Sequence, residues 1–210
     1  MRRTLITALL LVLPFSASAA VLNADFEDQP GPKFSSCKDW QVGLGGGWAD
    51  HATFAAPNNG TLGLNFGFWS VDLNQMLGQV TTDVFAPNTI YTFSTWAIGG
   101  GGNDVTIPYE IGYLSGGNSV ANDFVLLARV LNTAPGRNAG GAWGPMAGVT
   151  YTTGASGPEI GLPVVIRLGG VNQGGAGGGG AWVDNASLTI IPEPAGLLLL
   201  AVGLLALRRR

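Results

Sequence analysis

Three carboxylates near the two ends of the domain are the side chains best placed by type and spacing to do chemistry. Asp25 and Glu27 are two residues apart, so they share one face if their segment is a strand. Asp184, in the last strand candidate, is expected beside them. Paired carboxylates hydrolyse glycosidic bonds when they flank a cleft. These acids fall at strand ends instead, so the sequence predicts that the chain is not an enzyme.

Aromatic side chains offer a second kind of chemistry, because a ring can stack on a sugar. The candidate ligand platforms are Trp48, Trp69, Trp96 and Trp143. A tryptophan in a loop also serves as a local packing anchor, so both uses stay open for each of them. Trp40 and Trp182 are expected in the core.

Other site chemistries are excluded by what the sequence lacks. Cys37 is the only cysteine and His51 the only histidine, so an intramolecular disulfide and a Cys/His zinc cluster are both ruled out. No G-x-S-x-G elbow accompanies the histidine. Residues 175–180 match G-x-G-x-x-G, but a strand follows them where a dinucleotide site needs a helix. Residues 20–191 carry five cations against twelve acids, a net charge of −7, which predicts no nucleic-acid partner.

The N-terminal 19 residues have the three parts of a secretory signal peptide. Arg2 and Arg3 form the cationic region, the apolar run extends from Leu5 to Phe15, and residues 17–19 read Ala-Ser-Ala. We expect signal peptidase to cleave after Ala19. The chain is therefore predicted to be exported.

The C-terminal 19 residues combine a short motif, an apolar run and a basic end. Pro192-Glu193-Pro194 precedes thirteen apolar residues and Arg208, Arg209 and Arg210. Thirteen helical residues extend about 20 Å, against about 30 Å of membrane hydrocarbon. Snorkelling arginines on the cytoplasmic side can extend that span. The arrangement resembles the PEP-CTERM sorting signal. The resemblance implies processing by an exosortase, a transient inner-membrane anchor facing the periplasm, and final release to the cell surface or an extracellular polysaccharide matrix.

The middle of the chain, residues 20–191, is predicted to be one all-β domain, an antiparallel β-sandwich of the jelly-roll type. Short β-rich runs alternate with glycine, proline, asparagine and aspartate clusters, and no helical period is present. In segment 90–98 the core face should carry Tyr91, Phe93, Thr95 and Ala97, which leaves Trp96 on the opposite face. The ten predicted strands are Val21–Glu27, Trp40–Leu44, Thr61–Phe66, Leu77–Val84, Ile90–Ile98, Thr106–Leu114, Phe124–Leu131, Gly148–Thr153, Val164–Leu168 and Ala181–Ile190.

Three short motifs in this domain resemble the galactose-binding-like jelly rolls of carbohydrate-binding modules. They are residues 22–27 (LNADFE), residues 87–94 (PNTIYTFS) and residues 182–188 (WVDNASL). Many modules of this kind hold a structural calcium ion where the first and last strands meet. The matching positions are Glu27 and Asp184, so the resemblance implies calcium there. The other use of these two acids is solvation or a hydrogen bond to the backbone.

Three functions follow from these observations. The first is a non-catalytic exported surface or biofilm-matrix protein, sorted by its C-terminal segment. The second is a carbohydrate-binding module for extracellular polysaccharide. The third, disfavoured by the position of the acids, is a glycan hydrolase.

Overall fold

The computed structural model describes residues 17–19, 21–28, 38–42, 49–52, 63–66, 75–99, 104–136, 142–170 and 181–193. Within these ranges the chain forms strands and turns and no helix, and hence no helix that could cross a membrane. The strands in the described ranges are β1 (Ala17–Ala19), β2 (Gln41–Val42), β3 (Ala49–Ala52), β4 (Gly63–Phe66), β5 (Gln75–Val84), β6 (Thr89–Gly99), β7 (Val105–Leu114), β8 (Phe124–Ala134), β9 (Gly144–Pro145), β10 (Val149–Thr152), β11 (Pro163–Gly170) and β12 (Ala181–Pro192).

The strands form two antiparallel sheets. The first, which we call sheet I, has the order β10-β6-β12-β4-β3, with β1 added on β12 and β9 added on β6. The second, sheet II, has the order β2-β5-β11-β7-β8. The apolar core draws side chains from both sheets, so the described part is a β-sandwich.

Alternation along the strands explains which side chains fill the core. In β6, Tyr91, Phe93, Thr95 and Ala97 are buried while the residues between them up to Trp96 are half-buried. Facing them from sheet II are Ile107, Tyr109 and Ile111 of β7, each 0% exposed. The prediction for the faces of segment 90–98 is therefore confirmed, and Trp40 and Trp182 are buried as predicted.

One predicted strand is wrong. Residues 21–27 form turns instead of a strand, and Asn23 and Phe26 have positive φ values of 46° and 56°. Positive φ is incompatible with an extended strand. Phe26 is nevertheless fully buried, with its ring centroid 5.4 Å from that of Trp40. The expectation that Asp25 and Glu27 share one strand face fails for the same reason.

The remaining strand predictions agree with the structure to within a few residues at the described positions. Apart from β1, which lies in the predicted leader, two strands are absent from the prediction, β3 and β9. Both are short and rich in small residues, which gives little periodic signal. Ala17–Ala19, assigned by sequence to the end of the leader, forms β1 against Leu188–Ile190 of β12. The rest of the predicted leader and residues 194–210 lie outside the described residues, so cleavage after Ala19 and the sorting segment stay predictions.

A pair of strand glycines provides a test of the sandwich packing. A Cβ on Gly112 would lie 2.1 Å from the carbonyl oxygen of Val125 and 2.6 Å from the Phe124 ring. A Cβ on Gly144 would meet nothing within 4 Å. We expect Gly112→Ala to lower the free energy of unfolding by about 1–3 kcal/mol through overpacking. Gly144→Ala should change it by no more than about 0.5 kcal/mol. Urea unfolding measures both, and equal effects would contradict the register of β7 with β8.

Candidate functional site

The last strand carries an irregularity that sets the direction of its acidic side chain. Along β12 and β6, Asp184 pairs with Trp96 and Ser187 pairs with Ser94, so β12 advances three residues while β6 advances two. This is a β-bulge. Asn185 adopts the left-handed region at φ 50°, which asparagine tolerates better than most residues. Val183 before the bulge belongs to the core, and Asp184 therefore faces the outer side of sheet I.

The first turn of the domain, residues 21–28, forms a backbone hydrogen bond to the bulge in β12. The N–H of Ala186 donates to the carbonyl oxygen of Ala24 at 2.8 Å. Within the turn, the N–H of Asp28 donates to Oδ1 of Asn23 at 3.0 Å. The buried ring of Phe26 anchors the same turn in the core. The first turn and the last strand of the domain thus meet at the bulge that follows Asp184.

Asp184 is a buried carboxylate, and within the described ranges only one of its two oxygens accepts a hydrogen bond. The residue is 0% exposed. Its Oδ1 accepts a hydrogen bond from the N–H of Asn185 at 2.7 Å, whereas its Oδ2 is buried with no hydrogen-bond partner among the described residues. An ionised carboxylate in such a position loses its hydration without full compensation. The arrangement favours a proton, a cation or a ligand at Oδ2.

The electrostatics of the site act in the same direction. Burial, which is the largest cause, and the charges of Glu27 and Asp25 together raise the pKa of Asp184 to about 7, against a lowering effect of the hydrogen bond from Asn185. Asp25 is exposed and Glu27 is half-buried. These acids are therefore close enough to influence Asp184.

An aromatic side chain lies beside this acid. Trp96 is the direct cross-strand partner of Asp184 on the same face of sheet I, and such partners have Cβ atoms about 5 Å apart. Trp96 is half-buried and pairs on its other side with Pro145 of β9. Trp143, also half-buried, lies just before β9. The structure thus brings together Trp96 and Asp184, which the sequence nominated for separate roles, while Trp48 and Trp69 lie outside the described residues.

The residues present fit calcium in part. Calcium takes six to eight oxygen ligands, and Oδ2 of Asp184 with the nearby carboxylate of Glu27 supplies oxygens of the right kind. Among the described residues, however, no group of three or more His, Cys, Asp or Glu side chains is close enough to hold a metal. A calcium ion there would need main-chain carbonyls or water to complete its shell. Calcium binding therefore stays a prediction.

A cavity of about 390 Å³ lies elsewhere, on the outer face of sheet II. Its lining residues are Gln41, Val80, Leu114, Gly117, Asn118 and Pro163. None of them has a titratable side chain, so this cavity by itself offers no acid or base. The buried acid of sheet I is the better candidate for chemistry.

Comparison with known proteins decides the family. A family model described as HpiC1-like, HpiC1 cyclase, matches residues 17–189. The chain belongs to the HpiC1-like cyclase family. A search of curated proteins gives no match.

Solved structures of cyclases share the fold of this HpiC1-like protein. A Stig cyclase from Fischerella sp. TAU in complex with (3Z)-3-(1-methyl-2-pyrrolidinylidene)-3H-indole is 16% identical, with a TM-score of 0.59, covering 85% of this chain and 99% of that one. A cyclase from Fischerella sp. TAU in complex with 4-(1H-indol-3-yl)butan-2-one is 17% identical, with a TM-score of 0.60, covering 84% and 98%.

A carbohydrate-binding module has the same architecture. The CBM22-1 xylan-binding domain of Paenibacillus barcinonensis Xyn10C is 13% identical, with a TM-score of 0.52, covering 77% of this chain and 91% of that one. The resemblance to carbohydrate-binding jelly rolls is thus confirmed for the fold.

The functional predictions drawn from that resemblance are wrong. The sequence was interpreted as a non-catalytic surface protein or a sugar-binding module, but membership of the HpiC1-like cyclase family points to an enzyme. The motifs at residues 22–27 and 182–188 belong to a jelly roll that serves binding modules and cyclases alike, so they could not separate the two. The signal that sequence reasoning missed was the acid nominated for calcium, whose burial also suits it to carry a proton.

The predicted calcium site has a direct test. If Glu27 and Asp184 ligate a calcium ion in the native state, stability should rise by RT ln(1 + [Ca²⁺]/Kd), about 2.7 kcal/mol at a hundredfold excess over Kd. Thermal melts with calcium, magnesium and EDTA measure this rise, and magnesium should substitute poorly because it demands a tighter octahedron.

Asp184→Asn should reduce the calcium response, whereas Asp39→Asn, which removes the same charge from an exposed position, should keep it. Superimposable melting curves in all three solutions would contradict calcium binding by Glu27 and Asp184.

Proposed function

We propose that this chain is a cyclase in which Asp184 acts as the general acid. Family membership supports the reaction class. The assignment of the residue rests on the buried Oδ2 of Asp184, which has no hydrogen-bond partner in the part of the chain that the structure describes. A general acid works best when its pKa lies near the working pH. The raised pKa of Asp184, about 7, meets that condition.

The proposed reaction is an isomerisation, so its atoms balance without a second reactant. The Asp184 carboxylic acid donates its proton from Oδ2 to an electron-rich carbon of the substrate, which becomes a carbocation. A carbon–carbon π bond of the same molecule attacks that cation and closes the ring. The new cation then loses a proton to the Asp184 carboxylate, which restores the acid. The negative charges of Asp25 and Glu27 stabilise the positive charge as it develops.

Trp96 is proposed to hold the substrate next to the acid. Trp96 is the cross-strand neighbour of Asp184 on the outer face of sheet I. The face of an aromatic ring attracts both another aromatic ring and a cation. The solved cyclases of this fold contain indole compounds. We therefore propose an indole bearing an unsaturated side chain as the substrate class.

We also propose, from the two terminal segments, where the enzyme operates. The segment from Pro192 through Glu193 and Pro194 to Arg208, Arg209 and Arg210 is proposed to be processed by an exosortase-type enzyme after export and signal-peptidase cleavage. The protein would pass through the inner membrane and act at the cell surface or in the extracellular polysaccharide. Pro192 is the last residue of β12, which agrees with a motif that begins where the domain ends.

The acid role predicts a specific loss on mutation. Asp184→Asn keeps the shape of the side chain but cannot donate the proton, so the rate of ring closure should fall about 10²–10⁴-fold. Asp39→Asn should retain the parent rate. The measurement is chromatography with mass spectrometry of an indole substrate carrying an alkenyl chain, in which the product has the mass of the substrate. A parent-like rate for Asp184→Asn would overturn the assignment.

Calcium binding is the second candidate for the same carboxylate, favoured by the negative charges of Asp25 and Glu27 beside it. A calcium ion on Oδ2 would keep Asp184 ionised, so one molecule cannot use the group in both ways at once. Ring closure measured in EDTA separates the two. Activity that persists in EDTA and disappears in Asp184→Asn supports the acid, and activity lost in EDTA and restored by calcium supports the ion.

A further inference from the structure

A second cluster of charged residues lies on the outer face of sheet II, away from Asp184. Glu110 of β7 is 0% exposed and binds two arginines at once. The Nε of Arg167 donates to Oε2 at 2.7 Å, and the Nε of Arg129 donates to Oε1 at 2.6 Å. Both arginines also form ion pairs with Glu110 through their Nη2 atoms. Two guanidinium groups against one carboxylate leave the cluster with one excess positive charge.

The two arginines differ in how much of their donor capacity is used. Arg167 is buried, its Nη1 donates to the carbonyl oxygen of Val120 at 3.0 Å, and its guanidinium lies 3.7 Å from the centre of the Phe124 ring. Arg129 has a side chain that is 47% exposed, and in the described part of the chain its guanidinium makes its hydrogen bond and its ion pair to Oε1 of Glu110 alone. The Nη1 end of its guanidinium fork therefore remains available. A fork of this kind binds carboxylates with two parallel hydrogen bonds.

Exposed leucines flank Arg129 on the same face. Pro108, Glu110 and Gly112 alternate along β7, and their cross-strand partners on β8 are Leu131, Arg129 and Leu126. Because cross-strand partners share a face, both leucines lie on the side of Arg129. Leu131 is 61% exposed and Leu126 is 44% exposed.

The acids near this patch do not neutralise it. Glu110 is already shared by two cations. Asp123, at the start of β8, turns its Oδ2 to the N–H of Ser119 at 3.0 Å and forms no ion pair with Arg129 in the described structure. In a domain whose net charge is −7, an excess cation beside exposed leucines is complementary to an anion with an apolar tail.

We propose that Arg129 and Leu131 form a binding site for a single-chain amphiphilic carboxylate. The carboxylate head accepts hydrogen bonds from the outer end of the Arg129 guanidinium, and the tail lies over Leu131 and Pro108. Two residues of strand cover about 6.6 Å, so a tail of six to eight carbons reaches across Leu131. Glu110 and Arg167 orient Arg129 from below, and the site is independent of the cyclisation chemistry at Asp184.

The test is calorimetric titration of the full chain with octanoate, octanol and octylammonium. Octanoate should bind at least about tenfold more tightly than either of the other two, because only octanoate combines the apolar tail with an anion that accepts hydrogen bonds from the guanidinium of Arg129. Arg129→Gln should weaken octanoate binding about tenfold or more. Arg129→Lys should restore part of it, since the charge remains while the fork is lost. Leu131→Ser should weaken octanoate and octanol alike.

Matched controls separate this site from nonspecific binding. Lys38→Gln removes an exposed cation that pairs with Asp28, and Leu22→Ser removes a leucine that is 49% exposed. Neither should change octanoate affinity. Equal binding of octanoate and octanol, or an equal loss in Lys38→Gln, would overturn the proposal. So would binding of anionic vesicles that octanoate does not displace, or a dimer that Leu131→Ser dissociates, since these outcomes assign the patch to a membrane or to a second copy.

Discussion

The antiparallel pairing of β6 with β12 is the interaction on which the rest of the structure depends. It runs from Ala181–Gly99 to Pro192–Thr89, interrupted only at the bulge that follows Asp184. β6 supplies the alternating aromatic side chains of the core, and β12 connects that core to the first turn through Ala186. Because the strands stay in register on both sides of the bulge, the extra residue has one fixed position, and with it the side chain of Asp184 and its neighbour Trp96.

Two buried acids in this domain, Glu110 and Asp184, lie in opposite electrostatic environments. Glu110 on sheet II has an arginine on each carboxylate oxygen, so its charge is compensated twice. Asp184 on sheet I has one backbone hydrogen bond, one oxygen without a partner among the described residues, and two further acids nearby. Transfer of an uncompensated charge out of water is expensive, so the environment of Asp184 favours protonation or an added cation, whereas Glu110 is paired with two arginines. This difference is why chemistry is assigned to sheet I and ligand capture to sheet II.

Sequence alone could predict the architecture but not the burial of Asp184. The alternation in segment 90–98 and the breaker-bounded β-rich runs are local signals, and they gave the sandwich, the core face of β6 and most strands. The turn at residues 21–28 was mistaken for a strand because LNADFE alternates in hydropathy. Phe26 instead has a positive φ, and its ring packs on Trp40, which lies outside this segment of the sequence. The burial of Asp184 depends on a bulge and on a turn about 160 residues away in the chain, which no local pattern reports. The predicted function was wrong because the motifs on which it rested are features of the fold and not of the functional site.

The most direct test of the central claim is a carbon-13 NMR titration of the Asp184 carboxyl group in the full chain, with EDTA present and Asp184→Asn used to assign the signal. The account predicts a midpoint near pH 7, well above the ordinary aspartate value of 3.8, because burial and neighbouring acids disfavour the ionised form. A midpoint near the ordinary value would show that the carboxylate is ionised and compensated at neutral pH, and would contradict its role as the general acid.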